Sequence, residues 1–332
     1  MENKQPQVDL VIPLYNEQEA VLAFHAQLEK AIAALPYRFQ IYYVNDGSRD
    51  ATAKCLADIA QADQRVTVLE LSRNFGHQAA LTAGLDHAEG DYVITLDGDG
   101  QHPPERIGEM LNLACQGQYD VVLMQRLEPE NLSAFKRGTS TLFYGLINRI
   151  GETQIVPGAA DFRLLSRPVV QALRSMHEYH RFLRGMVNWA GFRTVILPYT
   201  QPARLAGRSK YTFRKMLALA TNAVFSFSLV PLYIAMSIGG LFLVLAVIEA
   251  IYVLSFWVSG RESGLAPGWS SLMFMLLIVG GSILIALGLI GIYIGYIFQE
   301  VKRRPVYLLR RTWGAAESNT SPEHDLRGPG AP

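Results

Sequence analysis

Residues 94–105 read ITLDGDGQHPPE: an apolar run ends in Asp97 and Asp99, with glycines at 98 and 100 and then Gln101. Two carboxylates one residue apart at a strand tip point to the same side, because strand side chains alternate with period two. Facing carboxylates repel. A hard divalent cation such as Mg²⁺ removes the repulsion and keeps a place for a phosphate ligand. Asp and Gly are also common turn residues, so a plain acidic turn is the competing reading. Similar polar clusters follow the other apolar runs: Pro13-Leu14-Tyr15-Asn16-Glu17, Asn45-Asp46-Gly47-Ser48, Ser72 to Gln78, and Arg126. An aspartate pair on a metal, beside a cleft for a base and ribose, suits transfer from a nucleoside-diphosphate donor. The metal would bridge the diphosphate and offset charge on the leaving group. Arg126, Arg204 and Lys210 would add cations around the same phosphates, and Asp46 would accept a hydrogen bond from a base N–H.

The elements that must position these residues alternate along residues 8–125. Strands are predicted at VDLVIP, FQIYYVN, VTVLEL, DYVITLD and DVVLMQ. Helices are predicted at EQEAVLAFHAQLEKAIAAL, ATAKCLADIAQA, HQAALTAGLDHA and PERIGEMLNLACQ. Near-continuous apolar strands alternating with helices imply an α/β, Rossmann-like, mostly parallel sheet covered on both faces. Ligands of such sheets bind beyond the carboxyl ends of the strands, which is where every polar cluster falls. Other chemistries lack their patterns: there is no G-x-x-x-x-G-K-[ST], no G-x-G-x-x-G after the first strand, and no G-x-S-x-G. The seven histidines show no metal-ligand spacing; His77 and His102 either line the pocket or serve as structural donors.

The 332 residues are 50% hydrophobic and only 18% charged, a balance that points to a membrane portion. A net charge of +1 gives no field favouring nucleic acid. The N-terminal MENKQPQVDLVIP carries no basic-then-apolar pattern, so no signal peptide is expected. Cys55 and Cys115 lack metal-type spacing and read as reduced core residues. Leu229–Trp257 and Ser270–Phe298 each exceed the roughly 20 residues a helix needs to cross a bilayer. Arg204, Arg208, Lys210, Arg214 and Lys215 precede the pair, and Lys302, Arg303, Arg304, Arg310 and Arg311 follow it, so both flanks are expected in the cytosol. The expected organisation is a cytosolic α/β domain at 1–209, an interfacial amphipathic helix at 210–228, and a transmembrane hairpin. The hairpin comprises helices at 229–257 and 270–298 around an external loop at 258–269. A basic cytosolic segment at 299–311 and a disordered tail at 312–332 complete it. Glu249, within the first span, is either a functional group or one that snorkels or pairs.

Seven stretches resemble the GT-A fold, family 2 glycosyltransferases, and more narrowly the polyprenyl-phosphate glycosyltransferases. This group includes dolichol-phosphate mannose synthase and bactoprenol glucosyl transferase. The stretches are PLYNE (13–17), NDGSRD (45–50), SRNFGHQAAL (72–81), DGDGQHPPE (97–105), DFRLLSR (161–167), RLAGRSKY (204–211) and KRRPVY (302–307). The resemblance implies that Pro13, Tyr15, Glu17, Val44 and Asp46 hold base and ribose, with Asp97, Gly98 and Asp99 bordering the nucleotide-sugar. It implies Mg²⁺ or Mn²⁺ on Asp97, Asp99 and Gln101. Arg126, Arg204, Ser209 and Lys210 would contact phosphates of donor or acceptor. Asp99, Arg126 and Asp161 would carry the reaction, with Asp161 a base or orienting group, or else a capping or salt-bridged Asp beside Arg163. Its further implications are an inverting transfer from a UDP-sugar, glucose by default, to undecaprenyl or another polyprenyl phosphate at the bacterial inner membrane. The product would serve cell-envelope or lipopolysaccharide modification, and the chain would form a homo-oligomer, a tetramer. A processive polysaccharide synthase is the alternative enzyme, but no Q-x-x-R-W occurs. A silent nucleotide-binding adaptor is the non-enzymatic alternative. Gly98 and Gly100 depart from the family's usual Asp-Ala-Asp-type pattern, and Gly291–Tyr296 lacks the charged residues many relatives carry there.

Overall fold

The apolar run that opens the chain is strand β1 (Gln7–Leu14), buried at every residue after Gln7. The computed structural model describes residues 5–127, 156, 158–179, 181–202, 230–259 and 268–314. Helix α1 (Val21–Ile32) follows and buries Val21, Phe24, Leu28 and Ile32, the spacing of one helical face. Strand β2 (Arg38–Asn45), helix α2 (Thr52–Ala62), strand β3 (Val66–Leu71), helix α3 (His77–His87) and strand β4 (Tyr92–Thr95) continue the alternation. A short 3-10 turn (Pro104–Arg106), helix α4 (Ile107–Gly117) and strand β5 (Val121–Arg126) come next. Parallel pairing β4-β1-β2-β3 explains why β1 after Gln7 and all of β3 are buried, since helices cover both faces.

The sheet is larger than the five predicted strands. Among the described residues it has eight, in the order β7-β5-β6-β4-β1-β2-β3-β8, adding β6 (Ala159–Ser166), β7 (Thr194–Tyr199) and β8 (Leu309–Gly314). Helices α5 (Arg167–Ser175) and α6 (Leu183–Trp189) link β6 to β7. β6 runs antiparallel to β4 and β5, and β8 antiparallel to β3. β6 escapes an apolar-run reading because Asp161 and Arg163 lie inside it. β8 escapes because Arg310 and Arg311 do; they pair with Glu70 of β3, Arg311 Nε donating to Oε2 at 2.6 Å. The expected tail at 312–332 is therefore corrected: residues 312–314 belong to an edge strand, and the sheet domain does not end at 209.

Helix α3 packs closely on the sheet because most of its buried residues, Ala79, Ala80, Thr82, Ala83 and Gly84, are small. Gly84 has no Cβ, and one built there would run into the side chain of Val11. Cys115 is a second correction. It is exposed, one residue off the buried face formed by Ile107, Met110, Leu111 and Ala114 of α4, while Cys55 is half-buried.

A separate helical unit holds α7 (Val230–Val258) and α8 (Trp269–Val301), which pack against each other. α8 runs three residues past its predicted end. Among the described residues, Ile278–Val301 is long and apolar enough to cross a membrane, with mean hydropathy 2.2 and no burial. Described side chains of α7, including Met236, Leu241, Val247 and Ile251, are exposed as well. The side chain of Glu249, the 210–228 helix and most of the external loop lie outside the described residues.

Candidate active site

The chain passes from β1 to β2 and β3, then crosses to β4 on the other side of β1. That reversal opens a crevice at the carboxyl ends of β1 and β4, where ligands of open α/β sheets bind. Asp97 lies two residues beyond β4, so the strand-pleat argument for the aspartate pair does not hold; a turn positions it instead. His102 Nδ1 accepts the Asp97 N–H at 2.8 Å, and Asp99 Oδ1 accepts the Gln101 N–H at 3.0 Å. Gly100 has φ 80°, a conformation that favours glycine. At Gly98 a Cβ would meet the Leu14 side chain, which fills the space.

The loop after β1 is tied to the loop after β2 from both directions. Asn16 N–H donates to Ser48 Oγ at 2.9 Å, Glu17 N–H to Thr52 Oγ1 at 2.9 Å, and Arg49 N–H to Asn16 Oδ1 at 2.8 Å. Pro13 and Val44 are buried register partners under these loops, and Tyr15 and Glu17 are half-buried above them. Asp46 is buried and accepts the Phe75 and Gly76 N–H groups at 2.7 and 3.0 Å. Burial raises its pKa against the lowering effect of those amides. Its first task is thus to hold the loop that leads into α3.

At the start of α3, His77 faces two carboxylates. Its Nε2 lies 3.5 Å from Asp97 Oδ1 and 3.4 Å from Asp161 Oδ2. Burial opposes a charge on the ring, yet Asp97 and Asp161 prevail and push its pKa up to about 9. Asp161 enters from β6, whose antiparallel run brings its amino end to the carboxyl edge of the parallel strands. Arg163 donates to Asp161 Oδ1; Arg184 Nε donates to Oδ1 at 3.1 Å and Nη2 to Oδ2 at 2.9 Å. Burial alone would raise the Asp161 pKa, but Arg184, His77 and Arg163 hold it well below the usual carboxylate range. The salt bridge expected beside Arg163 is present, and Arg184 adds a second.

Tyr199, at the end of β7, stands among the same groups. Burial pushes its hydroxyl up to about 12, and Asp97, Arg126, Asp99 and Arg184 all act on it electrostatically. Arg126 is exposed at the end of β5, in register with Tyr199. His102 stacks on Phe162 at 5.2 Å and meets Tyr199 edge-on, forming an aromatic floor below Asp97. The structure thus gathers Asp97, Asp99, Gln101, Asp161 and Arg126 at one edge, beside the Tyr15–Glu17 and Asp46 loops. Arg204, Ser209 and Lys210 lie outside the described residues. Arg184 and Tyr199 were missed from sequence; both lie far along the chain, and only their contacts mark them.

One atom bears directly on a metal. Asp97 Oδ1 is buried and accepts no hydrogen bond, although His77 Nε2 faces it at 3.5 Å. The carboxylates of Asp97 and Asp99 are hard oxygen donors of the type Mg²⁺ and Mn²⁺ take. Among the described residues, the only cluster of three His, Cys, Asp or Glu ligand atoms is His25, Glu29 and Asp63, and Arg65 already pairs with both of its acids.

Residues 9–174 match the family described as Glycosyl transferase family 2. The bactoprenol glucosyl transferase of Shigella phage SfII is 37% identical over 309 residues, spanning 92% of this chain and 98% of that protein. The chain belongs to glycosyl transferase family 2. This glycosyltransferase is also 37% identical to an uncharacterized glycosyltransferase of Synechocystis sp., over 93% of this chain and 96% of the relative. The prophage bactoprenol glucosyl transferase homolog of Escherichia coli K12 is similar to the same degree, over 92% and 98%.

Proposed function

We propose that this glycosyltransferase moves one glucose from UDP-glucose to a polyprenyl phosphate, such as undecaprenyl phosphate, with inversion at the sugar. The observation that carries the reading is the buried Asp97 Oδ1, which accepts no hydrogen bond and faces His77 Nε2, beside Asp99 in the switch-point crevice. The likeness to proteins named bactoprenol glucosyl transferase over nearly their whole length supports the acceptor and the sugar. Asp97 and Asp99, with Gln101, would hold Mg²⁺ or Mn²⁺. The ion would supply charge neutralisation for the diphosphate and its departing oxygen.

The chain's own residues do the rest. The Tyr15–Glu17 loop and the loop held by Asp46 bound the place for base and ribose. Arg126 lies at the phosphate edge, joined in this proposal by Arg204, Ser209 and Lys210. An acceptor phosphate is already anionic at neutral pH and needs orientation more than a strong base. Asp161, held ionised by two arginines, suits orientation better than proton abstraction, which works best near the operating pH.

Topology supports action at the cytosolic face of a bacterial plasma membrane. β7 precedes the two long helices and β8 follows them, yet both are strands of one sheet. Helices that leave and rejoin one folded unit cross a bilayer an even number of times, and basic flanks stay inside. Membranes carrying the chain, incubated with radiolabelled UDP-glucose and undecaprenyl phosphate, should form a lipid-extractable, acid-labile sugar. The absence of any lipid-linked product across a panel of nucleotide-sugars would overturn the reading.

A further inference from the structure

Arg184 lies outside the seven sequence stretches that point to the family, on the seven-residue helix α6. Its two bonds to the two oxygens of Asp161, at 3.1 and 2.9 Å, form a fork that fixes both the position and the rotation of that carboxylate. Arg163 also holds Asp161, but from inside the sheet, where it is 2% exposed. The two arginines therefore differ in kind. Arg163 offsets a buried charge, whereas the Arg184 side chain is 30% exposed and grips the carboxylate from the open side.

What Asp161 then holds is His77, whose Nε2 sits between Asp161 Oδ2 and Asp97 Oδ1. A carboxylate free to rotate would release the imidazole from that place. The two helix starts are tied at the neighbouring residues as well: Leu183 N–H donates to Gln78 Oε1 at 3.1 Å. His77 and Gln78 on α3 thus engage Asp161 and Leu183, and Leu183 directly precedes Arg184.

We propose that Arg184 is a positioning residue for sugar transfer: it fixes Asp161, and through Asp161 it fixes His77 against Asp97. This rests on the transferase reading above. Arg184 acts without touching the nucleotide, so its loss lowers turnover and spares donor binding.

The test uses the full chain in lipid vesicles with UDP-glucose and undecaprenyl phosphate, beside calorimetry of UDP with Mn²⁺. Arg184→Gln should lower kcat by about tenfold or more, the scale of charge-assisted hydrogen bonds, with the donor KM and UDP affinity unchanged. Added guanidinium ion should restore part of the turnover of Arg184→Ala. Arg184→Lys keeps the charge without the fork and should fall between wild type and Arg184→Gln; if Arg184→Gln does not fold, Arg184→Lys carries the same comparison. Unchanged kcat, a raised donor KM at intact kcat, or joint loss of UDP binding and turnover without guanidinium rescue would each overturn the proposal. A wild-type chain that transfers no sugar sinks the transferase reading and this proposal together; wild-type transfer with unaffected variants sinks this proposal alone.

Discussion

Asp97 and Asp99 differ in what the protein already gives them. Asp99 Oδ1 accepts an amide of its own turn, while Asp97 Oδ1 is enclosed without a hydrogen bond. A neutral amide at either position is a weaker ligand for a hard divalent cation than a carboxylate. Asp97→Asn and Asp99→Asn should each lower transfer by about a hundredfold or more while the thermal melting point stays near that of wild type. Full activity in EDTA would end the metal reading. His77 supplies a separate test in metal-free protein. Its pKa rises from an ordinary 6.5 to about 9 on folding, so the protonated ring favours the folded state. That contribution is complete below 6.5 and is lost as pH rises through about 9. The ring is 41% exposed and solvent screens it, so the effect is modest. Tm should decline with pH through that window more steeply in wild type than in His77→Gln; parallel profiles would remove His77 from the charge balance.

Strand β8 changes the account at the level of elements. It closes the β3 edge of the sheet, and Ser72 N–H donates to the Leu308 carbonyl at 2.8 Å just before it. Tyr307 donates to Asp86 Oδ2 at 3.1 Å, attaching the same segment to α3, the helix that begins with His77. Without β8, Glu70 loses both arginines and β3 exposes an open edge. A chain ending at residue 308 should unfold at a lower urea concentration because it loses a whole edge strand; Arg310 and Arg311 are 67% and 63% exposed, so their ion pairs add little themselves. A chain ending at residue 314 should match the full-length protein. Urea unfolding of the two truncations would show this, and equal midpoints would demote β8 to a surface appendage.

At the scale of the whole molecule, one sheet takes strands from both sides of a helical pair. If α7 and α8 form a two-pass hairpin, a cysteine placed at Ser263 should react with an impermeant thiol reagent added to intact cells, in a background lacking Cys55 and Cys115. Cysteines placed at Ser48 or Ser318 should stay unlabelled until the cells are opened. Labelling of Ser48 from outside would invert the orientation drawn from the basic flanks.

The elements legible from sequence were those with a local signature. β1 to β5 and α1 to α4 announce themselves by period, the two long helices by long apolar runs, and the polar clusters by their place after each strand. Those properties depend on neighbours a few residues away, so the chain alone determines them. The turn that carries Asp97, the antiparallel strand that delivers Asp161, the Arg184 fork and the return of β8 were not legible. Each depends on a partner remote in sequence: Leu14 filling the space at Gly98, His77 and Arg184 flanking Asp161, Glu70 receiving Arg310 and Arg311. A charge inside a strand reads as a solvent-facing residue until its counter-charge is placed beside it. That placement belongs to the tertiary structure alone.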